Sequence, residues 1–408
     1  MTLTTSESRF HSLDAVRAGA LLAGIVLHAT MSYLPGFGAL NWPIADASTS
    51  TALGLTFFVI HIFRMVLFFV IAGFFARLLH QRLGAAGFVK NRLRRIALPL
   101  LAAMLLIMPL TIAPIIWAAM QVGAAKGGPP AATLPPTLGP PVPLGHLWFL
   151  YLLLMLYALL LPARALLARL DTTGTARASV ARAVSRLVQL RVAPLVLAAP
   201  VVAALLSAKW WIVWQGIPTP SVGLLPNFPA LLVFGLAFSL GWLVHREQSI
   251  LQSLARDWAL HLSAALLATV AAIVLAGDTL HFGMQPLGAA ELRGYAVAYS
   301  LALWCWCFAI IGVAVRFLDR PAPRWRYLAD ASYWMYLVHL PIVWLLQAWM
   351  LRWPVHWSVK FTLSLGVTTV LLLASYRWLV RGTFVGVFLN GRRQAPMAPA
   401  ALLHTVPR

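Results

Sequence analysis

The sequence contains few charged residues, and acidic residues are the scarcest among them. Only 10% of the 408 residues are charged and ten are Asp or Glu, whereas 61% are hydrophobic. A soluble globular domain averages about 25% charged and about 45–50% apolar residues, so this composition excludes an ordinary water-soluble fold. Many segments instead contain the ~20 mainly apolar residues that a helix needs to cross the ~30 Å core of a bilayer.

Cysteine is almost absent as well. The two cysteines, Cys305 and Cys307, occur in the apolar run WCWC. Two residues apart on a helix, they point to different faces, so we expect neither a disulfide nor a metal site there. A cleavable signal peptide is also not expected, because the first apolar run begins with Asp14 and Arg17 and is too long for an h-region. We interpret that run as the first retained transmembrane helix.

Negative charge is so scarce that the 31 Lys and Arg residues give a formal net charge of +21. The positive charges lie in short loops between apolar spans, where they act as orientation signals. Because no soluble basic domain is present to dock a duplex, we expect no nucleic-acid partner. One stretch, 164–191, is rich in Arg and is compatible with an amphipathic helix that lies on anionic lipid.

The hydropathy pattern predicts an all-α polytopic membrane protein with about ten transmembrane helices. With a cytoplasmic N-terminus, 24 Lys and Arg residues lie inside and five outside, once Arg17 and Arg64 are set aside as intramembrane. The positive-inside rule therefore predicts that both termini are cytoplasmic. The predicted spans are about 14–34, 54–76, 96–119, 145–163, 192–208, 227–245, 258–276, 295–316, 331–351 and 358–380.

Two segments outside the spans have a distinct character. Residues 120–144 contain three Pro-Pro pairs and a Gly-Gly pair, which predicts an irregular external loop. We predict a single transmembrane domain over residues 1–390 and a disordered cytoplasmic tail over residues 391–408.

The first predicted span carries ionisable residues inside the bilayer. Such groups cost at least about 2.5 kcal/mol each on insertion scales, so they are functional candidates. His28 follows Arg17 by eleven positions, which is about 1100° of helical rotation and leaves only about 20° between the two side chains. They therefore share one face, about 16.5 Å apart along the axis, with Arg17 near the cytoplasmic end and His28 in the outer half. Arg17 also has a structural reading, as the i,i+3 partner of Asp14.

Three further spans place polar residues at a similar depth towards the outside. His61 and Arg64 share a face of the second span, and His146 begins the fourth span at its outer end. His339 lies near the middle of the ninth span. Each of these histidines has a structural alternative, as a helix–helix hydrogen-bonding residue or an interfacial anchor, and we expect His339 to act mainly through packing.

At these residues the sequence resembles the acyltransferase-3 membrane family, most closely its glucan biosynthesis protein C branch. Arg17, ten intervening residues and His28 fit the family's first-helix motif, and four other segments resemble family segments. Two departures are Ala72, where the family often has Ser, and Val66, where the branch tends to have Pro. The similarity covers about residues 9–380, and the segments that carry it are HIFRMVLFFVIAGFFARLL, GFVKNRLRRIALPLL, HLWFLYLLLMLY and SYWMYLVHLPIV.

The resemblance implies that a cytoplasmic acyl-CoA donates an acyl group to an acceptor on the far side of a bacterial inner membrane. The acceptor is commonly a hydroxyl of a periplasmic or surface glycan. In the named branch it is osmoregulated periplasmic glucan, the acyl group is commonly succinyl, and glucan synthesis machinery is a natural partner. Acyl-CoA, succinyl-CoA in that branch, is then a co-substrate, and we expect no tightly bound cofactor and no metal.

Acyl transfer to an alcohol needs a base and donors that stabilise an oxyanion. A neutral His suits the base because its ordinary pKa lies near 6.5, and His28 is the candidate, either as the base or as a covalent acyl carrier. Arg64 is placed to stabilise the negative charge of the tetrahedral intermediate, and Arg17 completes the candidate catalytic set.

Binding roles are predicted for residues at the two ends of the spans. His61 and His146 are expected to line the acceptor side, with the rings of Trp148 and Tyr151 as sugar-stacking platforms. Cationic residues near the predicted inner surface are suited to bind the phosphates of CoA. They are Arg92, Arg94 and Arg95, with Arg324 and Arg326 as weaker candidates.

Two other classes of function remain open from the sequence. In a transporter or flippase for a glycan or lipid-linked substrate, the buried His and Arg residues would form a translocation or proton pathway. Against this, the sequence shows no paired helix breaks in corresponding halves, and Asp14 and Asp330 lie at span ends rather than in an acidic relay. The third reading is a non-catalytic assembly partner of a glycan synthase.

Overall fold

A computed structural model describes residues 10–37, 42, 44–122, 142–277 and 287–391. The described residues form α-helices and connecting turns, with a single isolated β-bridge between Pro143 and Val222, so the predicted all-α class is confirmed. Most of the predicted external loop and all but the first residue of the predicted tail lie outside the described residues. Within them there are thirteen α-helices: α1 (His11–Thr30), α2 (Thr51–Arg92), α3 (Leu98–Val122), α4 (Trp148–Leu170), α5 (Thr175–Gln189), α6 (Ala193–Ser207), α7 (Phe228–Arg246), α8 (Ser249–Arg256), α9 (Trp258–Ala276), α10 (Ala289–Phe317), α11 (Pro323–Met350), α12 (Trp357–Ser375) and α13 (Phe384–Asn390).

Each of the ten predicted spans coincides with one of these helices. By length and apolarity alone, seven stretches of the described residues are able to cross a membrane, or eight if α5 and α6, bent by 107°, form one span. One of the seven is Thr51–Val122, whose 72 residues would extend about 108 Å as a helix and so exceed one ~30 Å crossing. The protein is thus a multi-pass membrane protein, and the count of ten spans stays a prediction.

The connection between α2 and α3 is where that long helical stretch changes direction. Gly84 has a φ of 66°, in the left-handed region that favours glycine, and Leu93–Ala97 forms a wide π-helical turn. The turn carries Arg94 and Arg95, and it is held by a hydrogen bond of 2.9 Å from the Tyr333 hydroxyl to the Arg95 carbonyl. This irregular segment brings together three arginines of the predicted inner surface, Arg92, Arg94 and Arg95, beside α11.

Helices α2 and α7 cross at very close range. Gly73 lies directly against the backbone carbonyl of Phe238, and Gly241 lies against the carbonyl of Val70. A Cβ atom at either glycine would overlap the facing carbonyl oxygen. Small residues at such a crossing let two backbones approach, which is how transmembrane helices gain packing energy without a hydrophobic driving force. This crossing fixes α2, and with it the polar residues that α2 carries.

We therefore expect Gly241→Ala to lower the free energy of unfolding by about 1–3 kcal/mol, because the added methyl group must push two backbones apart. The measurement is thermal unfolding of the detergent-purified protein. Gly366→Ala is the matched control: it lies within α12, a Cβ atom there meets nothing within 4 Å, and alanine is the better helix former. Equal stability of the two variants would contradict the close crossing of α2 and α7.

Candidate active site

A cavity of about 1030 Å³ lies between α1, α2, α4 and α11. Its wall includes residues from both ends of these helices. At one end it is lined by Arg17, Arg82, Asn91, Arg92 and Arg95, which belong to the predicted cytoplasmic side. At the other end it is lined by residues of the predicted external half, among them His28, Trp42, His61, His146, Thr219 and Ser221.

The α1 wall of the cavity has the helical periodicity expected from the sequence. Arg17, Leu21, Gly24 and His28 all line it, at spacings of three and four residues. The predicted common face of Arg17 and His28 is therefore observed, with the two side chains at opposite ends of that face. Arg17 donates a hydrogen bond to the carbonyl of Ala329 on α11, and its guanidinium lies 3.9 Å from the Asp14 carboxylate.

His28 is half-buried and contacts another histidine. Its ring centroid lies 5.1 Å from that of His339, and its Nδ1 lies 3.4 Å from the sulfur of Met31. A thioether sulfur only accepts hydrogen bonds, so a proton on Nδ1 is directed at Met31. That tautomer leaves Nε2 of His28 as the basic nitrogen.

Arg64 reaches α1 at the level of His28. Its guanidinium packs against Gly24, one helical turn before His28, at a distance that a Cβ atom on residue 24 would prevent. The Arg64 Nε is buried and has no hydrogen-bond partner in the described residues. Arg64 thus lies close to His28 of α1 and to Tyr336 of α11. A cation is thus held beside the candidate base, with donor capacity that the described protein atoms do not use.

His146 joins the start of α4 to α11. Its Nε2 donates to the carbonyl of Leu337 at 3.1 Å, and its own carbonyl accepts from the Tyr336 hydroxyl at 2.7 Å. Because the carbonyl of Leu337 only accepts, the bond from His146 assigns a proton to Nε2. The remaining nitrogen, Nδ1, is buried and has no partner in the described residues.

His339 has the complementary tautomer. Its Nδ1 donates to the carbonyl of Tyr336 at 2.8 Å, and its Nε2 is buried without a partner in the described part of the chain. The rings of His146 and His339 are 5.5 Å apart, so His28, His339 and His146 follow one another along the cavity wall. The sequence favoured a packing role for His339, and its contact with His28 depends on tertiary structure that no local pattern reveals.

The other predicted acceptor-side residues are placed differently from one another. His61 lines the cavity, with its ring 5.1 Å from Phe57 and its Nδ1 buried without a partner among the described residues. Trp148 also lines it but packs against Phe234, with ring centroids 5.3 Å apart, and is only 6% exposed. Tyr151 packs against the core and is not part of the cavity wall.

At the inner end, the predicted donor-binding arginines divide into two groups. Arg92 and Arg95 line the cavity. The Arg92 guanidinium lies 5.6 Å from the Tyr157 ring and donates to its hydroxyl at 3.4 Å, while Arg95 donates to the carbonyl of Phe388 at 2.8 Å. The second group of predicted donor-binding arginines is exposed and does not line the cavity: Arg94, Arg324 and Arg326.

The arrangement is suited to chemistry between two substrates that arrive from opposite ends. Cations at one end are suited to a polyanionic substrate, and histidines beside a guanidinium at the other end are suited to supply a base and an oxyanion donor. Sequence reasoning missed two aromatic residues of the outer wall, Trp42 and Trp344. Neither is distinguishable by pattern from the other tryptophans of an apolar chain.

Comparison with known proteins gives a family and partial relatives. The acyltransferase-3 family, described as an acyltransferase domain, matches residues 10–377. The glucans biosynthesis protein C of Shigella boydii serotype 4 and that of Escherichia coli K12 are both 33% identical to this chain over 153 residues. That stretch covers 37% of this chain and 38% of each relative, so the alignment spans well under half of these relatives.

No solved structure matches the chain. The family match, by contrast, extends over nearly all of the described helices and includes every residue of the cavity wall up to Trp344. The chain therefore belongs to the acyltransferase-3 family.

Proposed function

We propose that the protein is a membrane O-acyltransferase that moves an acyl group from cytoplasmic acyl-CoA to a hydroxyl of a periplasmic glycan. The observation that carries the proposal is the single cavity lined by Arg92 and Arg95 at one end and by His28 and Arg64 near the other. A donor held at the inner end and an acceptor held at the outer end would meet beside His28.

The donor end fits the chemistry of CoA. Phosphates pair with the planar guanidinium groups of Arg92 and Arg95, while aromatic rings such as Phe88 and Tyr157 lie against Arg92. Between the two ends the wall is largely apolar, with Leu21 and Leu153 among its residues, and suits an extended thioester arm. Arg17 lies on the same path and is held in place by its bond to α11.

In the proposed reaction His28 takes the proton of the acceptor hydroxyl. The hydroxyl oxygen attacks the thioester carbonyl, a carbon–oxygen bond forms, and the carbon–sulfur bond breaks. The CoA thiolate leaves and takes up the proton that His28 accepted. Arg64 stabilises the oxyanion of the intermediate, an effect that is strong where water is excluded. The alternative route, in which His28 carries the acyl group covalently before the acceptor attacks, uses the same residues.

The names of the relatives support a glucan as the acceptor, since both refer to glucan biosynthesis. We extend the proposal to a succinyl group as the acyl group, to glucan synthesis machinery as the source of the acceptor, and to the bacterial inner membrane as the location. The lipid bilayer is a further partner, because it surrounds the protein and separates the two substrates.

Transport is the second candidate, because a cavity with both a cytoplasmic and an external end also suits a translocation pathway. Chemistry separates the candidates. A purified acyltransferase consumes acyl-CoA and forms an ester on the acceptor, whereas a transporter, or an assembly partner of a glycan synthase, leaves both compounds unchanged.

The first test of the mechanism is His28→Ala. We expect the rate of acyl transfer by the purified protein to fall by about 10²–10⁴, the usual contribution of a general base, with acyl-CoA binding retained. The rate of acyl transfer is expected to fall less in His339→Ala. In Arg64→Lys it is expected to fall severely, because lysine keeps the charge but lacks the planar guanidinium fork. His261→Ala is the matched control, since His261 is buried in α9 and does not line the cavity. A folded His28→Ala protein with near wild-type transfer would remove His28 from the mechanism.

The second test separates the two groups of arginines at the inner surface. Arg92→Gln is expected to raise the KM for acyl-CoA about tenfold or more and to weaken its dependence on salt, because a guanidinium that pairs with phosphate is lost. Arg94→Gln removes the same charge two residues away, from an exposed position outside the cavity. The two variants are compared by initial rates at low and high ionic strength. Equal effects would assign Arg92 to membrane orientation rather than donor binding.

A further inference from the structure

Three aromatic rings form one wall at the outer end of the cavity. Phe37 and Trp42 lie in the segment that follows α1, and Trp344 lies on α11. The ring centroids of Phe37 and Trp42 are 6.2 Å apart, and those of Trp42 and Trp344 are 5.1 Å apart. We call these three residues the aromatic wall.

The two indole groups of the aromatic wall carry unused hydrogen-bond donors. The Nε1 atoms of Trp42 and of Trp344 are both buried, and neither has a hydrogen-bond partner in the described residues. A buried Trp N–H usually finds a partner, because leaving it unpaired costs free energy. Both rings line the cavity, and a ligand with hydrogen-bond acceptors at this place would offer partners for the two donors.

A buried ion pair lies close in the chain to Trp42 of the aromatic wall. Asp46, four residues after Trp42, accepts a hydrogen bond of 2.6 Å from the ammonium of Lys360 on α12, and both side chains are almost completely buried. The backbone N–H of Asp46 donates to the carbonyl of Ser32 at 2.8 Å. Asp46 is thus bonded both to α12 and to the end of α1, four residues after Trp42.

The aromatic wall lies beside the candidate base. Met31 contacts His28 and lines the same cavity as Phe37. Trp344 follows His339 by five residues, which is about 7.5 Å along α11 in the predicted outward direction. A ligand on the aromatic wall therefore lies on the external side of His28, where the acceptor would enter.

Flat apolar rings combined with hydrogen-bond donors match a pyranose ring, which has an apolar C–H face and hydroxyl groups at its edge. The hydroxyl side chains of Thr219 and Ser221 also line the cavity and add further polar contacts at its outer end. By contrast, the predicted platforms are poorly suited to stacking, because Trp148 is packed against Phe234 and Tyr151 is not in the cavity wall.

We propose that Phe37, Trp42 and Trp344 form the acceptor subsite and bind a pyranose residue of the glycan, with the indole N–H groups donating to its hydroxyls. This inference rests on the proposed function for the identity of the acceptor. It assigns selectivity for the acceptor to the aromatic wall and does not alter the role proposed for Arg92 and Arg95 in donor binding.

The test compares Trp42→Phe/Trp344→Phe with the wild type. Phenylalanine keeps an aromatic ring and removes both N–H donors, so folding is expected to be retained and is checked by thermal unfolding. In acyl transfer to a linear glucose oligosaccharide, the KM for the oligosaccharide is expected to rise about tenfold or more, with the KM for acyl-CoA unchanged. Trp349→Phe is the matched control: Trp349 lies on the same helix, is 54% exposed and makes an edge-to-face contact with Trp353 outside the cavity.

Binding of the oligosaccharide without acyl-CoA, measured by calorimetry, keeps this inference separate from the proposed function. Binding by the wild type that the double variant loses would support the aromatic wall even if no acyl transfer occurred. Transfer with an unchanged oligosaccharide KM in the double variant would overturn the aromatic wall while leaving the proposed function intact. A raised KM for acyl-CoA alone would also overturn it, because the wall would then hold part of the donor.

Discussion

The cost of placing ionisable side chains within the hydrocarbon core is the constraint on which this structure depends. His28, His61 and Arg64 lie in helical segments that are otherwise apolar, and lipid offers them no partners. The chain satisfies them by turning all of them towards one cavity between helices. Groups that would destabilise the protein if they faced lipid are thereby collected on the wall of one cavity.

Helix α11 links the polar region to the rest of the fold. Its backbone accepts the hydrogen bonds of Arg17 at one end and of His146 at the other, through the carbonyls of Ala329 and Leu337. The bond of His146 also places a proton on its Nε2, because a carbonyl only accepts. The backbone of α11 therefore holds residues at both ends of the cavity in position before any substrate binds.

Features with a helical period could be predicted from the sequence, and features that depend on tertiary contacts could not. The common face of Arg17 and His28 follows from their spacing alone, and the positions of the ten helices follow from apolar length. The contact of His339 with His28 and the ion pair between Asp46 and Lys360 join residues about 310 positions apart. Lys360 looked like an ordinary charge of an external loop, because its burial depends on an acid that only the folded chain brings to it. The roles of individual site residues stay predictions.

The central claim is that one cavity joins a cytoplasmic donor to an external acceptor, and vectorial acyl transfer tests it most directly. The purified protein is reconstituted into sealed vesicles with acyl-CoA trapped inside and a glucose oligosaccharide added only outside. The account predicts that acylated oligosaccharide accumulates outside while free CoA is released inside. Ester formation only when both substrates are on the same side of the membrane would contradict it.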